Sequence, residues 1–94
     1  MFRITYGTGF HLTFSNGITV SVQFGPGNYC DSYSMPPRYD NNYKILEPKN
    51  AEVAAWNKDN QWITRELIPS CTDDTNGYLN ADEVLEFIRK AKEY

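Results

Sequence analysis

The sequence has few cysteines and few basic residues, and each scarcity excludes a class of protein. Cys30 and Cys71 are too few and too far apart for a disulfide framework or a zinc motif, so we expect two free thiols. Nine Lys and Arg are scattered among twelve Asp and Glu, which leaves a net charge of −3 and no basic patch for a phosphate backbone. Direct binding to nucleic acid is therefore not expected.

Long apolar runs are also absent from the sequence. No segment approaches the roughly 18 apolar residues of a transmembrane helix, and the first residues do not read as a signal peptide. We therefore expect a cytoplasmic protein that does not contact a membrane. The 94 residues, 40% hydrophobic and 15% aromatic, are enough for one core. The sequence predicts a single domain over residues 1–94, with no cofactor.

The clearest strand pattern lies between residues 10 and 24, where apolar and polar residues alternate on both sides of Ser15-Asn16-Gly17. A three-residue loop pairs Phe14 with Ile18 and places every apolar side chain of the two strands on one face. A two-residue turn would place the two apolar sets on opposite faces. We therefore predict a β-hairpin with a three-residue loop and with Gly17 in the left-handed conformation.

A second β-hairpin is predicted for the middle of the chain. Segments 51–56 and 61–67 are rich in apolar and β-branched residues, and the turn-forming residues 57–60 separate them. Several turn lengths are compatible with Val53, Trp56 and Trp62 in the two strands. The register of this hairpin therefore stays open.

The C-terminal segment predicts an amphipathic helix. Asn80 is its N-cap, Glu83 completes a capping box, and Leu79 and Val84 form a hydrophobic staple across the cap. The apolar stripe consists of Val84, Leu85, Phe87, Ile88 and Ala91. The predicted fold class is α+β: an antiparallel sheet of two β-hairpins with one C-terminal amphipathic helix packed on it.

Residues 25–43 form the predicted binding surface, because the strand period ends there and Gly, Pro and Tyr accumulate. The glycines let a ligand approach the backbone, Asn28 and Arg38 would meet polar or phosphate groups, and the tyrosines give flat contact area. The alternative is a structural exit turn with tyrosines packed onto the sheet. The predicted ligand-binding residues are Gly25, Gly27, Asn28, Tyr29, Asp31, Tyr33, Arg38 and Tyr39.

Two further features, a single histidine and an acidic stretch, raise the questions of catalysis and of calcium binding. His11 is the only histidine, and nothing in the spacing places it within hydrogen-bond reach of Cys30, so we expect no enzyme. Residues 72–83 resemble a calcium loop, but Thr72 stands where the first carboxylate ligand belongs, and Pro69 argues against an entering helix. No metal ligand is assigned, and calcium binding by this stretch stays open.

Three segments of the chain resemble a family of small, largely uncharacterised proteins of bacteriophages and prophages. They are FSNGITVSVQFGPGNYC at 14–30, Ala51 to Trp56 together with Trp62, and Gly77-Tyr78-Leu79 leading into Asp82-Glu83-Val84. The resemblance covers most of the chain except residues 32–50. It implies a protein of the host bacterial cytoplasm and carries no catalytic residue.

The resemblance also implies a role in countering host defence. Small accessory phage proteins bind and disarm host defences, and those that sequester signals are compact homo-oligomers. We therefore predict a non-enzymatic, homo-oligomeric protein that sequesters a nucleotide-derived immune signal. The alternative is a protein–protein inhibitor of a host defence complex, of the anti-CRISPR type. A small hydrolase is a more distant alternative.

Overall fold

The protein forms one antiparallel sheet with a helix packed on one of its faces. The computed structural model describes residues 1–5, 8–25, 28–30 and 47–94. The strands lie in the order β1-β2-β3-β4-β5 and comprise Phe2–Thr5, Gly9–Thr13, Thr19–Gln23, Ala51–Trp56 and Thr75–Leu79. A short helix, α1 (Thr64–Leu67), lies between β4 and β5, and α2 (Ala81–Glu93) follows β5. The fold is α+β with a C-terminal helix on an antiparallel sheet, as predicted.

The first hairpin has the predicted register. Leu12 pairs with Val20, and the amide of Phe14 donates to the carbonyl oxygen of Ile18 at 2.9 Å. Gly17 has a φ of 85°, which is the left-handed conformation that glycine adopts without a Cβ clash. The three-residue loop is therefore confirmed.

The second predicted hairpin is confirmed only in part: its first strand and its turn form, with the amide of Asn57 donating to the carbonyl oxygen of Gln61 at 3.0 Å, but its second strand does not continue. After β4 the chain makes one β-bridge, between Trp56 and Trp62, and then turns into α1. Thr64 fixes this change of direction, because its hydroxyl oxygen accepts from the amide of Ala55 at 3.0 Å and its hydroxyl donates to the carbonyl oxygen of Asp74 at 2.6 Å. The place beside β4 is taken by β5 instead.

Strands β1 and β5 lie outside the two predicted hairpins. β1 pairs with β2, with Ile4 opposite Phe10. β5 pairs with β4, but its register shifts between Ala51 and Val53, and Tyr78 has a φ of 59°. This bulge interrupts the alternation by which a strand is recognised in a sequence.

α2 covers the inner face of the sheet. The Asn80 side chain accepts from the amide of Glu83 at 2.9 Å, and the Glu83 carboxylate accepts from the amide of Asn80 at 3.0 Å, so the predicted capping box is confirmed. Phe87 and Ala91 are buried in the core with residues of β3 and β4. Leu85, predicted for the apolar stripe, is 66% exposed because it lies at the margin of this contact.

The described helices leave one face of the sheet uncovered. Within the described ranges, no helix is long and apolar enough to cross a membrane. α2 contacts β3, β4 and β5, so it lies toward one side of the sheet. The face opposite α2, here called the open face, is lined by side chains from all five strands.

Candidate functional site

The open face carries a shallow depression of about 330 Å³. Strand alternation produces it: Val20 and Val22 enter the core, so Ser21 and Gln23 between and beside them point to the open face. The other lining side chains that matter below are those of Thr5, His11, Glu52, Trp56 and Trp62. Aromatic and polar groups therefore meet in one concave surface.

Three aromatic side chains form a row along this depression. The ring centroids of His11 and Trp56 lie 5.1 Å apart with an interplanar angle of 84°, and those of Trp56 and Trp62 lie 5.5 Å apart at 78°. Edge-to-face packing of this kind holds each ring in place. Trp62 is 51% exposed, so it presents an indole surface to solvent.

The turn after β4 brings Trp62 beside Trp56. The side-chain oxygen of Asn57 accepts from the amides of Asp59 at 2.9 Å and Gln61 at 3.0 Å, and Asn60 takes a φ of 60°. An Asn side chain that caps its own turn fixes the backbone locally. The exposed tryptophan is therefore held by a defined turn.

A hydrogen-bonded polar network borders the aromatic row. The side-chain oxygen of Gln23 accepts from the hydroxyls of Thr5 and Thr8, each at 3.0 Å, and its amide nitrogen donates to Ser21 Oγ at 3.1 Å. Groups held in such a network keep one orientation. The depression therefore has fixed donors and acceptors next to its aromatic surface.

Arg3 and Glu52 determine the charge around the depression. Arg3 pairs with His11 across β1 and β2 and so shares the open face. Partial burial, and to a smaller extent the positive charge of Arg3, lower the pKa of His11 below its ordinary value. The carboxylate of Glu52 accepts from the amide of Tyr29 at 2.8 Å. A cation thus lies on the β1 side and a carboxylate on the β4 side.

The structure describes part of the binding surface predicted from the sequence. Asn28 donates its side-chain amide to the carbonyl oxygen of Phe24 at 2.7 Å, and Gly25 has a φ of 81°, as in a tight turn after β3. The Tyr29 side chain is 54% exposed. Five of the predicted residues lie outside the described part of the chain: Gly27, Asp31, Tyr33, Arg38 and Tyr39. The assignment of this surface to a ligand stays a prediction.

Gly77 allows the segment 28–30 to pack closely against β5. A Cβ at Gly77 would lie 2.5 Å from the Cβ of Tyr29 and 2.6 Å from its carbonyl oxygen, so only glycine permits this approach. The same carbonyl oxygen accepts from the amide of Tyr78 at 2.9 Å. Together with the bond to Glu52, this contact places the described part of the predicted surface at the border of the open face.

The centre of the open face lies outside the binding surface predicted from the sequence. Trp56 and Trp62 were not assigned to either face of the sheet, because the register of their hairpin could not be derived from the sequence. His11 does lie on the polar face of its strand, as predicted, but it is partly buried against Trp56. One feature of the sequence does indicate this face: His11 alternates with apolar residues on either side of it, so its side chain points away from the core.

The structure describes both cysteines and the acidic stretch. Neither Cys30 nor Cys71 forms a disulfide, as predicted, and Cys30 is buried. In the acidic stretch, residues 75–79 form β5, and Asp74 accepts from Arg65 at 2.9 Å. Within the described residues, no group of three or more side chains is arranged to hold a metal ion.

No protein-family model, curated protein or solved structure matches this chain. The fold therefore rests on the strand order and register given above, and the function has to be argued from the chemistry of the open face. That face offers an exposed indole, an imidazole and a fixed polar network within one shallow depression. These groups suit the binding of a small planar molecule with polar edges.

Proposed function

We propose that this protein is a non-enzymatic binding protein whose open face holds a small nucleotide-type ligand. The observation that carries this proposal is the row of His11, Trp56 and Trp62 beside the Gln23 network on a face without a covering helix among the described residues. A nucleobase has a π-face for the indole and polar edges for hydroxyl and amide groups.

The shape and charge of the depression limit the size of the ligand. Its volume of about 330 Å³ is at the lower end for ligand pockets, which suits one base rather than a long strand. A negatively charged group would lie toward Arg3, away from the carboxylate of Glu52. The net charge of −3 disfavours extended nucleic acid, whose phosphates repel an acidic surface.

Sequestration of a nucleotide-derived immune signal is the proposed role of this binding. It needs affinity and no chemistry, which fits a face built of stacking and hydrogen-bonding groups. The resemblance to small phage proteins supports a counter-defence role in the host bacterial cytoplasm. Tyr29, at the border of the open face, would extend the contact surface toward the predicted segment.

Intrinsic fluorescence tests this proposal directly, because both tryptophans of the chain lie at the proposed site. Titration with mononucleotides and cyclic dinucleotides should give a saturable change in emission. Trp62→Leu should weaken binding by about 1 kcal/mol or more, the scale of one base–aromatic stack. The matched control is Tyr94→Leu, which removes a side chain of similar exposure, 58%, at the end of α2.

The control variant should bind like the parent protein. Native mass spectrometry of protein purified from bacterial cells would identify any nucleotide that stays bound. If no nucleotide gives a saturable change, or if both variants lose affinity equally, the open face is not the nucleotide site.

A second candidate function, inhibition of a host defence protein, is favoured by a different surface. An apolar groove of about 280 Å³ runs between α2 and β2, and Phe10, Leu85 and Ile88 line it. Exposed apolar grooves of this kind accept apolar segments of partner proteins. Leu85→Asp should then abolish inhibition and leave nucleotide titrations unchanged. Trp62→Leu should weaken nucleotide binding and leave inhibition unchanged.

A further inference from the structure

β1 is an edge strand with exposed apolar side chains. No described strand pairs with its outer side. Phe2 is 79% exposed and Ile4 82%, although both lie on the same side of the sheet as the core. Edge strands usually carry charges, proline or a bulge that hinder association with another strand, and β1 has one such charge, Arg3, on its other face. The apolar surface at this edge therefore points to a partner.

The backbone of β1 indicates what kind of partner fits. The amine of Met1 donates to the carbonyl oxygen of Thr13, and the amide of Thr13 donates to the carbonyl oxygen of Met1, both at 2.8 Å. Such mutually bonded pairs alternate along an antiparallel ladder, so the N–H and C=O groups of Phe2 and Ile4 point away from β2. An extended strand is the partner that satisfies these groups.

The other edge of the sheet is less suited to strand addition. At β5 the amide of Tyr78 already donates to the carbonyl oxygen of Tyr29, and the register shift distorts the strand. Among the described strands β1 is then the one open edge, and a single open edge limits association to a closed pair, whereas two open edges would permit a filament.

We propose that β1 pairs antiparallel with β1 of a second copy, so that two five-stranded sheets join into one across a two-fold axis. Phe2 of each copy lies opposite Ile4 of the other. The outward N–H and C=O groups of both residues are then bonded, and their apolar side chains pack together. An identical strand has the length and the apolar pattern of this edge, which favours a second copy as the occupant.

The register also has a consequence on the open face. Arg3 lies at the two-fold axis, opposite Arg3 of the second copy, and shares that face with His11. Two depressions would then lie on one continuous surface with both guanidinium groups between them. The pairing itself does not depend on the ligand proposed above, because backbone groups and apolar side chains of β1 supply its attraction, which has to exceed the repulsion between the two opposed Arg3 side chains.

Sedimentation velocity of the full chain over a range of concentrations tests the dimer. The parent protein should associate. Ile4→Pro removes an N–H that points outward and is tolerated at a sheet edge, so it should weaken the dimer at least about tenfold and leave a folded monomer. Ile4→Val keeps the N–H and a β-branched apolar side chain, and should retain the dimer.

Amide hydrogen exchange and cross-linking test the register independently of that variant. The amides of Phe2 and Ile4 should exchange slowly in the dimer and quickly on dilution. In a Cys71→Ser background, Arg3→Cys should form an intermolecular disulfide on oxidation, because directly opposite non-hydrogen-bonded residues bring their Cβ atoms to about 4.5–5.5 Å. Thr5→Cys, on the same face but away from the axis, should not.

Three outcomes would overturn the proposal. The first is a monomer at every concentration. The second is a dimer that survives in a folded Ile4→Pro protein or leaves the Phe2 amide unprotected. The third is cross-linking at Thr5→Cys instead of Arg3→Cys, which would place the contact elsewhere.

Discussion

Gly77→Ala should detach the segment 28–30 from β5. The new Cβ would lie 2.5 Å from the Cβ and 2.6 Å from the carbonyl oxygen of Tyr29, and a carbonyl group of the backbone cannot move aside as a flexible side chain can. Detachment breaks the bonds of Tyr29 to Tyr78 at 2.9 Å and to Glu52 at 2.8 Å. A neutral hydrogen bond contributes about 1 kcal/mol and one to a charged group about 1.5–3 kcal/mol.

We therefore expect Gly77→Ala to lower the free energy of unfolding by about 2.5–4 kcal/mol. For a chain of this size the melting temperature should fall by about 10 °C or more. Chemical denaturation measures the first quantity and calorimetry the second. Hydrogen exchange at the Tyr78 amide shows whether its bond to Tyr29 is lost while the pairing of β4 with β5 remains.

Gly25→Ala is the matched control for this substitution. Its nearest new contact is Thr8 Cγ2 at 3.9 Å, so the cost is limited to the left-handed backbone at a φ of 81°, about 1 kcal/mol. The Tyr78 amide should stay protected in this variant. If Gly77→Ala melts like the parent protein and keeps that amide protected, the close approach of Tyr29 does not hold the segment in place.

Two further predictions concern the helix cap and the histidine. Asn80→Ala should lower the free energy of unfolding by about 1 kcal/mol in urea denaturation, because it removes the capping bond to the Glu83 amide; unchanged stability would mean that the cap is not needed. Because the pKa of His11 is lowered in the folded state, the unfolded chain binds the proton more readily. The contribution of His11 to the free energy of unfolding should therefore be constant above pH 6.5, and it should decrease as the pH falls from 6.5 to the pKa of the folded state. His11→Gln should remove this part of the pH dependence, and equal slopes in the two proteins would contradict it.

Local patterns in the sequence determined the first hairpin and the C-terminal helix. Around Gly17, the alternation of apolar residues and the need for a left-handed residue both select the three-residue loop. At Asn80, the cap and the Glu83 carboxylate satisfy backbone amides within a single turn. In both cases the interacting groups are close in the sequence, so the pattern is sufficient.

Tertiary contacts determined what the sequence pattern could not. Whether Trp62 continues a hairpin or leaves it depends on Thr64, whose hydroxyl bonds to Ala55 on one side and to Asp74 on the other. The strand beside β4 is selected by competition between segments distant in the sequence, and the face that each tryptophan occupies follows from that register. The sequence by itself therefore determined the α+β class, one hairpin and the helix. Only the tertiary structure determined the open face, because its side chains come from all five strands and meet only when the sheet has formed.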